Sequence, residues 1–183
     1  MATTRPTKST AAAKPATATR KPAARKAAPA ATRGAKKLVF PSVEWFAGLA
    51  ALAKADEAYR KFGRLNATVV FVAGASAIEV TFDVLDIHSI RKVNENHMRD
   101  ADFVVELAPE LWTAMLDDIK KHGHATQEWT LNTLDLRLDE PIHANLLDDG
   151  FKADMFFRYN PSLQRFFDNA AQLDFTVKVA ATA

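Results

Sequence analysis

Histidine and carboxylate side chains are the first candidates for metal or acid–base chemistry in this sequence. His122 and His124 are separated by one glycine, but a metal site needs three or four convergent ligands of fixed geometry. The pair also follows a predicted helix, where the helix dipole favours a cationic imidazole in any case. His97 lies near Asp100 and Asp102, which together could transfer protons, although a polar turn accounts for these residues equally well. The sequence therefore predicts no metal ion and no other cofactor.

Nucleophilic and phosphate-binding motifs are missing from the sequence. It contains no cysteine, and its six glycines lie outside any GxGxxG or Walker arrangement. No serine lies in the pattern of a nucleophile elbow. We therefore predict that the protein is not an enzyme. The alternative hypotheses are an enzyme that acts on a lipid-like substrate and an accessory domain that serves a lipid-metabolising enzyme.

Ligand binding is predicted instead for the aromatic segment 148–173, DDGFKADMFFRYNPSLQRFFDNAAQL. Asn160-Pro161 has the sequence of a helix N-cap followed by the first helical residue. Apolar residues then recur at helical spacing from Leu163 onwards. A wide aromatic face needs a core, a ligand or a membrane to cover it. We interpret the segment as the lid of an apolar cavity, with ordinary core packing as the alternative.

Two arginines, Arg158 and Arg165, flank this lid. Each is a candidate for binding the carboxylate or phosphate head group of a lipid through charge-assisted hydrogen bonds; a solvated helix face is the alternative explanation. Trp112 and Trp129 are candidate anchors for the apolar part of a ligand, and core packing explains them equally well.

Capping and turn residues place two helices and one short turn before the lid. The first helix begins at Pro41-Ser42, and Asp56 caps a short second turn that ends at Gly63. The clearest helix of the chain begins at Pro109 and ends before Gly123.

Alternating and β-branched runs predict an antiparallel sheet. LNATVVFVAG and IEVTFDV form a hairpin with its turn at 73–76, and Asp86–Val93 is a more polar strand near the sheet edge. A polar turn at 94–96 leads to a fourth strand at 102–107. Residues 124–147 fit either a fifth strand or a helix face, and the alternation after Phe175 fits a short strand or a frayed end.

Charge divides the chain into two parts. Residues 1–37 contain ten Lys or Arg, no Asp or Glu and recurrent prolines, whereas the other 146 residues carry a net charge of −8. The basic segment cannot offset its ordering entropy and is predicted to be disordered. It would bind an anionic membrane, a granule surface or nucleic acid, or act only as a solubilising spacer. Neither a transmembrane segment nor a signal peptide is predicted, and the predicted location is cytoplasmic.

The stretch from Val43 to Leu173 resembles the sterol carrier protein 2 (SCP-2) domain. The resemblance rests on TVVFVAG leading into the IEVTFDV hairpin, and on the DFVVEL strand joined to a helix that begins Ala-Pro-Glu with a tryptophan two residues later. It implies an α+β fold in which a roughly five-stranded, mainly antiparallel sheet is covered by helices. It also implies an apolar tunnel for acyl chains, sterols or related lipids, and no catalytic residues. The chain departs from animal sterol carriers by ending Ala-Thr-Ala, without a peroxisomal signal, and by the polar stretch LDEPIHANLLDDGFK.

We therefore predict a disordered basic tail at 1–37, an SCP-2-like lipid-binding domain at 38–175 and a C-terminal tail at 176–183. The predicted function is non-enzymatic binding or transfer of a hydrophobic lipid, with the basic tail contacting an anionic surface. The alternative is an interaction protein whose tail binds nucleic acid or lipid granules. The residues expected to line the tunnel are Phe71, Val80, Phe82, Trp112, Met115, Leu116, Ile119, Met155, Phe156, Phe157, Phe166 and Phe167.

Overall fold

Six helices and six strands make up the described part of the chain, which in this computed structural model comprises residues 37–62, 64–139, 142 and 150–179. The helices are α1 (Val43–Ala55), α2 (Glu57–Phe62), α3 (Glu95–Met98), α4 (Pro109–His122), α5 (Leu131–Arg137) and α6 (Gly150–Asp168). The strands are β1 (Leu38–Phe40), β2 (Leu65–Ala73), β3 (Ser76–Val84), β4 (Asp86–Val93), β5 (Phe103–Leu107) and β6 (Phe175–Val177). Short 3-10 turns occupy Gln127–Trp129 and Asn169–Gln172.

Several predicted features fall wholly or largely outside the described residues. They are the disordered tail at 1–37, the helix stop at Gly63, His143, most of the polar stretch before the lid, and the end of the C-terminal tail.

The main sheet has four strands in the order β4-β3-β2-β5. Strands β2 and β3 form the predicted antiparallel hairpin, β4 is the predicted edge strand, and β5 pairs with β2 in parallel. Gly74 adopts a positive φ of 56° in the hairpin turn, a conformation that glycine adopts at no steric cost. The mainly antiparallel α+β fold is therefore as predicted.

The expected fifth strand of this sheet is absent from the described residues. Strand β6 pairs in parallel with β1, with Leu38 opposite Phe175, and the two form a separate sheet. Residues of the other candidate strand form α5 instead, and Thr130 accepts a hydrogen bond from the Thr133 amide at its start. The helix buries Leu131 and Leu134 and leaves Leu136 71% exposed, so the three-residue spacing, and not the two-residue alternation, matches the buried face.

The predicted helix start at Asn160-Pro161 is wrong. Helix α6 runs through both residues from Gly150 to Asp168, although a proline inside a helix lacks the N–H of an i→i−4 hydrogen bond. Buried side chains on both sides of the proline, Phe156 and Leu163, belong to one core cluster. Burial of both turns outweighs the local penalty of about 3 kcal/mol for proline.

The polar turn predicted at 94–96 is also wrong in part. Asn94 precedes α3, a single helical turn that ends at Met98, and the His97 amide donates to the Asn94 carbonyl oxygen. An Asn at a helix N-cap and an Asn in a turn have the same sequence signature, so the pattern did not separate the two.

Capping residues set the bounds of the longer helices as predicted. The Ser42 hydroxyl accepts a hydrogen bond from the Trp45 amide at the start of α1. Helix α4 begins at Pro109 and is followed by Gly123, which has a φ of 82° and donates its amide hydrogen to the Ile119 carbonyl. Helices α1, α4 and α6 pack on one face of the sheet, where their side chains form the main hydrophobic cluster. No helix in the described segments is both long and apolar enough to cross a membrane.

Candidate functional site

The residues predicted to line a tunnel lie together in the core between the sheet and the helices. Ten of the twelve are at most 2% exposed and belong to one cluster. Met155 is partly buried against the cluster, whereas Phe157 is 46% exposed at the surface of α6. The structure thus brings the sheet and helix residues together and leaves Phe157 at their margin.

Aromatic rings in this cluster contact one another. The Phe167 ring lies 5.2 Å from that of Phe71 and 5.3 Å from that of Trp112, centroid to centroid. Phe82 and Phe166 meet edge to face at 5.3 Å. These contacts are the packing of a hydrophobic core, so an alkyl chain would have to part the rings to lie among them.

The sequence-based list of tunnel residues left out much of this cluster, including the large buried side chains of Trp45, Tyr59 and Phe103. Helical spacing in α1 connects Val43, Phe46 and Leu49 as one apolar face. Trp45 directly precedes Phe46 in the sequence and does not fall on that spacing, so the pattern did not select it. Its ring nevertheless lies 5.0 Å from Phe46, and both are fully buried. The adjacent Trp-Phe pair was a signal that α1 has a wide buried face.

Two polar atoms in the cluster have no hydrogen-bond partner among the described residues: Nε1 of Trp45 and the hydroxyl of Tyr59. Trp112 differs, because its Nε1 donates to the Val72 carbonyl oxygen at 2.8 Å. Burial raises the pKa of Tyr59 to about 12, so its hydroxyl keeps its proton and remains a donor at neutral pH. Buried donors without acceptors are rare in folded proteins, and each one costs about 1–3 kcal/mol.

A surface pocket of about 340 Å³ lies between the end of α2 and the middle of α6. Its lining residues are Phe62, Arg64, Arg158, Tyr159, Pro161 and Ser162. The pocket borders the aromatic cluster, because its lining residue Tyr159 is partly buried against that cluster.

The two predicted head-group arginines have different surroundings. Arg158 borders this pocket and forms an exposed ion pair with Asp154, at 3.3 Å between Nη2 and Oδ2. Arg165 instead donates from Nε to Asp56 Oδ2 at 2.7 Å, and Asp56 also accepts from Asn169. Arg165 therefore joins α6 to the start of α2, and of the two only Arg158 lies at the pocket.

Asp56 links three parts of this region, and its ionisation should therefore support stability. Burial alone would raise its pKa, but hydrogen bonds from Arg165, the Ala58 amide and Asn169, together with the Arg165 charge, hold the pKa below its ordinary value. A carboxylate with a depressed pKa stabilises the fold above its unfolded pKa, near 3.9, and loses that contribution as pH falls through the folded value.

We expect Asp56→Asn to lower the free energy of unfolding by about 2 kcal/mol at neutral pH, because it leaves Arg165 without its counter-ion. The difference from the unsubstituted protein should shrink as pH falls below about 4, because Asp56 takes up a proton first in the unfolded chain and, at still lower pH, in the folded protein. Urea unfolding across this pH range measures both effects. Asp154→Asn is the matched control: it removes an exposed partner of Arg158 and should cost less than about 0.5 kcal/mol. Equal losses for the two variants would contradict this role of Asp56.

A second pocket, of about 840 Å³, lies on the opposite face of the sheet. Val72 and Ala77 form part of its floor, and Lys92, Met98 and Arg99 lie at its sides. The predicted tunnel residues take no part in its lining.

Two of the candidate histidines, His97 and His122, contact neighbouring polar groups. His122 contacts the Asp118 carboxylate at 3.0 Å, and the pKa of Asp118 is lowered: burial would raise it, but hydrogen bonds from Thr126 and the nearby His122 outweigh that effect. Asp102 accepts a hydrogen bond from the Thr68 amide beside β5, while His97 contacts Asn94. Across the described residues, no three His, Cys, Asp or Glu side chains are grouped so that they could hold a metal ion.

Comparison with known proteins places this fold beside one solved structure. No protein-family model and no curated protein matches the chain. The chain is similar to the solution structure of a conserved hypothetical protein from Thermus thermophilus, described as "possibly sterol carrier protein", with a TM-score of 0.52 and 16% sequence identity. The match covers 74% of this chain and 90% of the other. At this identity the likeness is one of fold alone.

Proposed function

We propose that this domain binds a hydrophobic lipid, an acyl chain or a sterol-like molecule, between its sheet and its helices, and that it does so without catalysis. The basic tail would contact an anionic surface, and the protein would act in the cytoplasm. Support comes from the fold, which is similar to that of a protein described as "possibly sterol carrier protein", and from the chemistry of the aromatic cluster.

The observation that carries the proposal is a pair of buried donors, Trp45 Nε1 and the Tyr59 hydroxyl, for which the described part of the chain supplies no acceptor. A core that serves only to be packed gains nothing from these two groups, because each loses its hydrogen bonds to water on folding. A guest with an apolar body and a carboxyl, hydroxyl or ester oxygen would fill space between the rings and accept from such a donor. The Tyr59 ring lies 6.4 Å from Phe166, so its hydroxyl belongs to the same aromatic surroundings.

The energetics allow a guest to enter even though the rings are in contact. An acyl chain of about sixteen carbons gains at most about 12 kcal/mol when its CH₂ groups leave water. Ordering the chain and losing translational freedom removes several kcal/mol of this. Micromolar affinity requires only about 8 kcal/mol, which leaves a few kcal/mol to move side chains apart.

The pocket between α2 and α6 is the route of entry in this proposal. Arg64 and Arg158 line it, and the two guanidinium groups would attract an anionic head group. Tyr59 lies one helical turn before the pocket residue Phe62 on α2 and is part of the buried cluster. A guest held by its head group would therefore extend its chain past Tyr59 towards Phe166.

We expect Tyr59→Phe to change two measurements in opposite directions. When no guest is present, the variant should be more stable, with a free energy of unfolding about 1–2 kcal/mol higher, because a buried donor without a partner is removed. It should bind a fluorescent fatty acid such as cis-parinaric acid about five- to tenfold more weakly, because one hydrogen bond to the guest is lost. Urea unfolding and fluorescence titration measure the two quantities.

Tyr159→Phe serves as the control for stability alone, because Tyr159 is only partly buried on α6 and itself lines the pocket of entry. It should alter stability by less than about 0.5 kcal/mol. A Tyr59→Phe variant that binds the fatty acid as tightly as the unsubstituted protein would remove Tyr59 from the site. Mass spectrometry of lipids extracted from the purified protein would identify the natural guest, and an unsubstituted protein that neither carries nor takes up a lipid would overturn the proposed function.

A second candidate function rests on charge. The ten basic residues in the first 37 positions, without one acidic residue, favour an interaction protein whose tail binds nucleic acid or lipid granules. In that case the folded domain only presents the tail.

A further inference from the structure

Two large apolar side chains are exposed at one end of the main sheet. Phe62, the last residue of α2, is 54% exposed, and Val84 at the end of β3 is 44% exposed. Val84 lies opposite Leu65 across the β2–β3 ladder, and Leu65 follows Phe62 by three residues. Val84 also has a φ of 58° where β3 turns into β4, a conformation that a β-branched residue rarely adopts.

Cationic side chains surround these apolar groups. Arg60, Lys61 and Arg64 are exposed and, within the described segments, take part in no ion pair. Arg158 lines the neighbouring pocket together with Phe62 and Arg64. We call the surface formed by Arg60, Lys61, Phe62, Arg64, Val84 and Arg158 the docking edge.

Acidic groups near this edge are only partly paired. Asp154 pairs with Arg158 and Asp86 with Lys54, whereas Asp83 contacts His88. Glu57 lies in the first turn of α2, before the basic last turn. Among the described residues, the three cations Arg60, Lys61 and Arg64 therefore outnumber Asp83 and Glu57, the two nearby carboxylates that pair with no Lys or Arg.

The docking edge is held in place by the fold. The Ser162 hydroxyl of α6 donates to the Phe62 carbonyl oxygen at 2.9 Å, and Arg165 ties α6 to Asp56 at the start of α2. The exposed position of Phe62 is thus fixed at both ends of its helix, and ordering this edge on a partner would cost little conformational entropy.

We propose that the docking edge binds an anionic lipid bilayer, with Phe62 and Val84 entering the head-group layer and the cations contacting lipid phosphates. Apolar side chains flanked by cations are the combination that binds proteins to anionic interfaces. A lipid surface fits better than nucleic acid, because both apolar side chains can enter a head-group layer, whereas a base could stack on the Phe62 ring alone and would gain nothing from the aliphatic Val84. The basic tail supplies a second attraction of the same sign. The docking edge shares Phe62, Arg64 and Arg158 with the proposed pocket of entry, but docking itself requires no guest and is therefore tested without one.

The test measures partition of the full-length protein onto vesicles by flotation, in the absence of any fatty acid. Vesicles of phosphatidylcholine alone are compared with vesicles of phosphatidylcholine and phosphatidylglycerol in equal parts. We expect Phe62→Ser to weaken partition onto the anionic vesicles about fivefold. Arg64→Glu should weaken it about tenfold at low salt, and this loss should disappear at high salt because the charges are then screened.

Two further variants make the result specific. Leu136→Ser removes an apolar side chain on α5 that is more exposed than Phe62 but lies outside the docking edge, and should leave partition unchanged. Phe62→Leu keeps an apolar group and should retain most of the binding. Partition that is the same for Phe62→Ser, Arg64→Glu and the unsubstituted protein would overturn the proposal.

A single-stranded oligonucleotide distinguishes the other kind of partner. Loss of oligonucleotide binding in Phe62→Ser and Phe62→Leu alike, with vesicle binding intact, would assign the edge to nucleic acid and overturn the proposal. Variants that lose vesicle binding in a protein that takes up no fatty acid would support the docking edge while removing the proposed function.

Discussion

Phe167→Ala is expected to lower the free energy of unfolding by about 3–5 kcal/mol, because a fully buried phenylalanine loses its contacts and leaves a cavity. Aromatic rings from four elements of the fold surround the Phe167 ring. It lies within 5.2–6.2 Å of rings on α1, β2, α4 and α6, those of Trp45, Phe46, Phe71, Trp112 and Phe166. Urea unfolding of the guest-free variant measures the loss.

The same variant tests whether an alkyl chain can enter this region. A fatty acid should recover part of the lost stability, because its chain can occupy the volume that the ring leaves. Replacing Phe167 or Phe82 by a charged residue should instead abolish uptake of the fatty acid. Phe157→Ala is the matched control, since it removes the same ring from a half-exposed position on the same helix and should cost about 1 kcal/mol or less. If Phe167→Ala also lowered the free energy of unfolding by only about 1 kcal/mol or less, the Phe167 ring would not be central to the core.

Local signals predicted those elements whose ends are set by their own residues. Pro109 and Gly123 bound α4, and Gly74 forms the turn of the hairpin, because proline and glycine restrict the backbone independently of what packs around them. The buried character of the tunnel candidates was also predictable, since apolar spacing along a helix or strand reports which face is covered.

The errors arose where distant contacts outweighed a local signal. Asn160-Pro161 reads as a helix start, yet Asn160 lies inside α6 and donates to Asn132 of α5. Pro161 is tolerated because the helix buries side chains both before and after it. No pattern in the neighbouring sequence contains that information.

The parts of the candidate site that matter most depend on residues far apart in the chain. Ser162 and Phe62 are one hundred positions apart and share a hydrogen bond, and Arg165 reaches Asp56 over 109 positions. That pairing decides which arginine lies at the pocket. The sequence likewise cannot reveal that the Tyr59 hydroxyl lacks an acceptor, because this follows from the burial of every group around it.

Deletion of residues 1–36 is expected to weaken binding to anionic vesicles at least about a hundredfold, because it removes nine Lys or Arg, each of which contributes up to about 1 kcal/mol near an anionic surface. Uptake of the fluorescent fatty acid should stay unchanged. The deletion retains Lys37, which pairs with Asp174 at 3.8 Å, so that contact is preserved. Flotation and fluorescence titration measure the two outcomes on the same sample.

A tail of the same length in which every Lys and Arg before position 37 is replaced by Ser separates charge from length. It should bind vesicles as weakly as the deletion. Binding of duplex DNA as a function of salt identifies the other partner: the full-length chain would show a logarithmic slope of up to about −9 if all ten cations contacted phosphates. A deletion that kept vesicle binding but lost fatty acid uptake would contradict the division of labour between tail and domain.

The sign of the remaining charge explains why the tail should have so large an effect. Without residues 1–36 the protein carries a net charge of −7, and an acidic body is repelled by an anionic bilayer at distances where its own cations are screened. The few cations around Phe62 act only at contact. The tail would therefore supply the long-range attraction and the docking edge the orientation, so that losing the tail should reduce binding far more than losing any one residue of the edge.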